Sequence, residues 1–132
     1  MPPAIVLHSC NSMPKEMVAH FLRLGSTVYF SLSAGGRAGL TGKALDMVRL
    51  VPSDRLLIET DSPDQLPSAL REAPTDRDTG QTASVGECCG LLYNEPALLV
   101  FYCHQLAVAL DVSVIDLAEQ TTRNVKHAYQ LS

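Results

Sequence analysis

A chain of 132 residues, 46% hydrophobic and 18% charged with no Trp, can bury about two-thirds of its unfolded surface as one domain, without disulfides or a structural metal; it is too short for a closed eight-stranded βα barrel, which takes about 250 residues. Ten Lys and Arg against fourteen Asp and Glu give a formal net charge of −4, and no basic run stands out, so the surface does not advertise broad electrostatic binding to nucleic acid. The four cysteines, Cys10, Cys88, Cys89 and Cys103, form no C-x-x-C pair, which points to a reduced protein of the cytoplasm or nucleus. Neither a signal peptide nor a membrane span is expected, because the apolar runs fall far short of about 18 residues.

Ala4-Ile5-Val6-Leu7 is a short branched apolar run ending on His8, which predicts a strand buried on both faces of a parallel sheet. Ser12 as N-cap, Pro14 in the first turn, apolar Met17, Val18, Phe21 and Leu22, and a stop at Gly25 predict a helix. Residues 27–32 are β-branched and aromatic and predict a second strand. The glycine-rich stretch 35–42 then leads into a short helix through Ala44, Leu45, Met47 and Val48. A third buried strand over Arg55–Asp61 turns acidic at its C-terminal end and is closed by Ser62-Pro63.

From about 68 to 93 the sequence is polar and turn-rich, which predicts a long exposed loop. A helix follows, with Asn94 as its N-cap and Leu99, Cys103, Leu106 and Leu110 on one face. Ser113 caps a last helix, with Asp116 as capping-box partner and Val114, Leu117, Ala118, Thr121 and Val125 as the inner stripe. Strand alternating with helix makes the class α/β, with parallel strands and crossover helices. In such sheets chemistry collects beyond the C-terminal ends of the strands, which is where His8 and Asp61 fall.

The stretch Gly35 to Lys43 invites comparison with a phosphate-binding loop. G-x-x-x-x-G-K-[ST] would have to end on Gly42-Lys43, and it fails at both ends, with Arg37 at the first Gly position and Ala44 at the Ser/Thr position. A flexible βα loop, or one whose backbone N–H groups and Arg37 or Lys43 touch a phosphate of a larger substrate, fits better than a nucleotide-binding module. Along the third strand, alternation puts Leu57, Glu59 and Asp61 on one side. Glu59 then lies one layer below Asp61 and requires a cationic or hydrogen-bonding partner that the sequence does not identify.

His8-Ser9-Cys10-Asn11-Ser12, then Val28-Tyr29-Phe30-Ser31-Leu32-Ser33, then Pro52-Ser53-Asp54-Arg55-Leu56-Leu57-Ile58-Glu59-Thr60-Asp61-Ser62-Pro63, then Asn94-Glu95-Pro96 and Thr122-Arg123-Asn124, together resemble the C-terminal half of the TatD family. These are metal-dependent deoxyribonucleases with a βα barrel of the amidohydrolase kind. The resemblance covers residues 1–132 as a partial TatD-like domain: the C-terminal part of a TIM-type (β/α) barrel, with about three βα units plus a C-terminal helix. It implies a divalent metal cofactor (Mg, Mn or Zn), DNA as substrate, and phosphodiester hydrolysis by a metal-activated water. It implies that His8 is a metal ligand and that Asp61 both binds metal and acts catalytically, orienting or deprotonating the water. Cys10 and Ser12 depart from the family's usual Phe and Gly.

The family's His-x-His pair, its bridging Glu and its other single His would all precede residue 1, and His20, His104 and His127 fall on predicted helices. One imidazole and one carboxylate are fewer than the roughly three protein ligands that a catalytic ion uses, so the chain alone is expected to bind metal weakly and to be inactive. The competing expectation is a catalytically inactive half-barrel that acts by binding alone. An open sheet edge at the first strand leads to the further expectation of self-association or a partner chain.

Overall fold

The run Val28–Leu32 is rich in branched and aromatic residues and is buried throughout, and the order of strand and helix leaves only parallel pairing. In the computed structural model, which describes residues 4–25, 27–33, 40, 42–67, 70 and 94–132, strands β1 (Ile5–Leu7), β2 (Val28–Leu32) and β3 (Leu56–Ile58) form a parallel sheet in the order β1-β2-β3. Leu7 lies opposite Phe30, and Phe30 opposite Leu56. Helices α1 (Lys15–Leu22), α2 (Gly42–Val48) and α3 (Leu99–Leu110) each follow a strand, and α4 (Val114–Tyr129) closes the chain. The predicted α/β class and the three βα units with a C-terminal helix are present. The glycine-rich stretch 35–39, the predicted long loop except Leu70, and Cys88 and Cys89 lie outside the described residues.

Period-two alternation divides the sheet. Val28, Phe30 and Leu32 point to the helix-covered face and pack with Val18, Met47, Val48, Leu56, Leu106 and Leu117. Tyr29 and Leu57 point the other way, where Ala128 and Val125 of α4 reach them. Ser113 Oγ accepts from the N–H of Asp116 at 3.5 Å, as the capping box predicts. Asn124, which the inner stripe did not include, is buried and donates to the carbonyls of Ser53 and Leu56 at 2.7 Å each. That pair ties α4 to the start of β3 and supplies acceptors with a donor they would otherwise lack inside the fold.

Four sequence expectations change. β1 is not buried on both faces: Ile5 is 44% exposed, because β1 has only β2 beside it among the described residues. Ser12 does not cap α1. It ends a single 3-10 turn, and the helix starts after Pro14, whose φ of −60° suits the entry to a helix. The third strand is shorter than predicted, since Ser53–Arg55 coils into a 3-10 turn and regular pairing stops at Ile58. Only the N–H of Glu59 still reaches back, to the Leu32 carbonyl at 2.9 Å. Finally, Asn94 is not a helix cap. A 3-10 turn at Pro96–Leu98 leads into α3, while the Asn94 side chain points to the loop that follows β3. No single helix among the described residues is long and apolar enough to cross a membrane.

Candidate metal centre

β1 and β3 flank β2, so the residues just beyond their C-terminal ends face each other across one strand. His8 follows β1 directly, and Glu59 follows β3 directly with its carboxylate on the same face. His8 Nδ1 lies 2.6 Å from Glu59 Oε2, and His8 Nε2 lies 2.9 Å from Asp61 Oδ1. The two predicted site residues, His8 and Asp61, are therefore brought together, and Glu59 joins them. Among the described residues these three form the one group of His, Cys, Asp or Glu whose possible ligand atoms all fall within 4.8 Å of one another. His20, His104 and His127 are exposed on α1, α3 and α4, outside this group.

The backbone is bent to aim these groups. Ser9, Asp61 and Gln65 all hold positive φ, at 52°, 59° and 56°, a region that costs a side chain-bearing residue free energy unless its surroundings enforce it. The enforcement is visible as hydrogen bonds. Ser9 Oγ lies 2.7 Å from Asp61 Oδ2, and Gln65 Nε2 donates to the same oxygen. Asn94 Nδ2 donates to the carbonyls of Thr60 and Asp64, on either side of Asp61, and so clamps the turn that presents the carboxylate. Asn11 and Ser33 lock the rim beside His8, with Asn11 Nδ2 donating to the Ser33 carbonyl at 2.6 Å and Ser33 N–H donating to Asn11 Oδ1 at 3.1 Å.

Glu59 is the residue that the sequence left without a partner. Its carboxylate meets His8 Nδ1 at 2.6 Å, accepts from Ser31 Oγ at 2.6 Å and from the Ser9 N–H at 2.8 Å, and lies 3.2 Å from the Ser9 hydroxyl. A serine at position 31, inside an otherwise apolar run and on the same face of the sheet, was the available signal.

Charge follows from this arrangement. The hydrogen bond and the charge of Glu59, with help from Asp61, raise the pKa of His8 above 6.5 against the small opposing effect of burial. Burial pushes the neighbouring Cys10 thiol up to about 11; the thiol donates to the Leu7 carbonyl at 3.1 Å and is in no disulfide among the described residues.

The donor chemistry fits a divalent ion. One imidazole and carboxylate oxygens are the mixed nitrogen and oxygen set that suits Zn, Mn or Mg. The 2.9 Å between His8 Nε2 and Asp61 Oδ1 is close to the roughly 3 Å that separates neighbouring donors in an octahedral shell with bonds of about 2.1 Å. The sequence model described as TatD related DNase matches residues 1–130. The chain belongs to the TatD family.

Named TatD relatives agree. The 3'-5' ssDNA/RNA exonuclease TatD of Pantoea ananatis is 29% identical over 98% of this chain and 43% of its own length. That of Escherichia fergusonii is 31% identical over 98% of this chain and 44% of its own length. The chain thus spans less than half the length of these TatD proteins. Two solved structures share the fold: an uncharacterized amidohydrolase from Saccharomyces cerevisiae, with TM-score 0.66 and 17% identity over 95% of this chain and 40% of that one, and a TatD family hydrolase from Entamoeba histolytica, with TM-score 0.65 and 17% identity over 96% and 42%. The three βα units are part of the TatD barrel fold.

Proposed function

We propose that this chain carries part of the active centre of a TatD-family metal-dependent hydrolase that cleaves phosphodiester bonds of DNA, with His8 and Asp61 as metal ligands. The observation that carries the reading is the approach of His8 Nε2 to Asp61 Oδ1, 2.9 Å apart beyond the ends of two different strands. A bound divalent ion would neutralise phosphate charge and acidify water, which also reconciles a net charge of −4 with a polyanionic substrate. Asp61 has one oxygen, Oδ2, held by Ser9 and Gln65. Its other oxygen, Oδ1, is turned to His8 and available to orient the attacking water and accept its proton. Single-stranded DNA is the first substrate to try, since it stands in the names of the bacterial relatives.

One imidazole and one free carboxylate are fewer ligands than the roughly three that hold a catalytic ion. By itself, the chain is therefore expected to take up divalent metal weakly and to be inactive on DNA. The test is Mn2+ binding by calorimetry on the wild type, His8→Ala and Asp61→Ala, together with cleavage of a labelled single-stranded oligonucleotide. Weak uptake lost in both variants supports the reading. Uptake unchanged in both would overturn the ligand assignment, and strong cleavage that survives both would remove these residues from the chemistry.

A further inference from the structure

Two carboxylates confront the two nitrogens of one imidazole, and a neutral imidazole has one proton to share between them. We propose that Glu59 is the positioning residue of this site: it holds the single proton of His8 on Nδ1 and turns a bare Nε2 toward Asp61. The proposal rests on the reading of His8 as a metal ligand, and its decisive measurement is made without metal.

Three observations carry it. The Nδ1 contact to Glu59 is 2.6 Å, a hydrogen bond, and the Nε2 approach to Asp61 is 2.9 Å, so the closer partner is Glu59. Besides His8, Glu59 is immobilised by two donors, Ser31 Oγ at 2.6 Å and the Ser9 N–H at 2.8 Å, while the single proton of the Ser9 hydroxyl goes to the nearer Asp61 Oδ2 at 2.7 Å. With His8 these donors take up most of the roughly four lone-pair sites of a carboxylate. Glu59 therefore has little left to offer a cation, although it lies within ligand range, and its role is to orient the imidazole. Asp61 does not depend on the His8 proton, because Ser9 Oγ and Gln65 already donate to its Oδ2. With the proton on Nδ1, two lone pairs meet at 2.9 Å between Nε2 and Oδ1. That opposition is relieved by a cation, which makes the pair receptive to one. A carboxylate behind a ligating imidazole fixes both the tautomer and the ring direction.

The test is imidazole nitrogen NMR on the full chain, metal-free, at pH 9, with Zn2+ affinity measured in parallel. In the wild type the His8 proton is expected on Nδ1. In Glu59→Gln it is expected to move to Nε2, where charged Asp61 is then the stronger acceptor, and Zn2+ affinity is expected to fall by about 10- to 100-fold. Ser31→Ala, which removes a support of Glu59 without touching His8, should keep the proton on Nδ1 and lose less affinity. A wild-type proton on Nε2 overturns the proposal even if Glu59→Gln fails to fold. So does a loss of affinity in Glu59→Gln with the tautomer unchanged, because that is the signature of charge alone. Zn2+ uptake insensitive to His8→Ala would overturn the metal reading instead, leaving the tautomer result to stand by itself.

Discussion

The carboxylate of Glu59 and the imidazole of His8 form a 2.6 Å contact between two residues that each stand immediately after a strand, one on each side of β2. Neither residue owes its place to its own segment alone. The contact exists because the register of two separate parallel pairings brings both strand ends to one rim.

This contact should be readable as a titration. His8 is expected to titrate above 6.5, and Glu59→Gln should bring it back toward that value. A group whose pKa is raised on folding adds stability that is complete below its unfolded value of about 6.5 and is lost as pH rises through the folded value. Unfolding midpoints in urea should therefore decline slightly from about pH 6 upward. The decline is small, because the His8 side chain is 67% exposed and solvent screens the pair. Proton NMR of His8 checks the first part, and a midpoint that rises over this window would contradict the second.

Asn94 should matter to the rim of the sheet rather than to a helix end. Its side chain serves the carbonyls of Thr60 and Asp64 and is 3% exposed. Asn94→Ala leaves two carbonyls without that donor and is expected to cost about 1–3 kcal/mol in denaturant unfolding. It should also weaken metal uptake by releasing the turn that carries Asp61. If the midpoint falls but metal uptake does not change, Asn94 stabilises the loop without aiming the carboxylate.

The thiol of Cys10 should be nearly inert in the folded chain. Raised by about two units, to about 11, and 1% exposed, it holds about 100-fold less thiolate at pH 8 than a thiol at its ordinary value of 9.0. Peptide-level mass spectrometry after iodoacetamide treatment should find Cys10 unmodified in the native chain and modified in urea. Rapid native alkylation would mean that the turn at Cys10–Ser12 opens readily.

β1 has hydrogen bonds to β2 on one side, and among the described residues nothing pairs with its other side. On the outer edge of β3 the Leu56 carbonyl is already taken by Asn124 of α4, and beside it lies an apolar groove of about 450 Å³ lined by Ile58, Leu99, Val100, Val114, Val125 and Leu131. A second copy related by a two-fold axis can set its β1 against this β1, satisfying both open edges at once. Sedimentation of the 14.3 kDa chain is therefore expected to show species above monomer mass, reduced by Ile5→Lys. A clean monomer at all concentrations would argue against it.

The elements most legible in the sequence are those decided locally. Val28 to Leu32 is buried throughout and was readable as a strand from its residues alone. Ser113 with Asp116 announced α4 through a bond that spans three residues. What could not be read depends on distant partners. Asn94 looks like a cap because Asn before Pro usually is one, and its actual acceptors lie some thirty residues earlier. Glu59 appeared as a burial problem because its donors arrive from β2 and from the turn after β1. His8 and Asp61 were legible as strand-end residues and, through the family resemblance, as expected ligands, and the sheet register supplies their proximity.

That register behaves like a reading frame. Val6 sits opposite Tyr29 and Leu7 opposite Phe30, and successive residues of a strand alternate between faces. Inserting or deleting one residue within β1 would send His8 to the face covered by helices and carry its imidazole away from both carboxylates at a stroke. The same change between Arg23 and Gly25 is absorbed where the chain already turns at Gly25, φ 111°. Length changes in the connections are silent in the chemistry, and length changes in the strands are frameshifts.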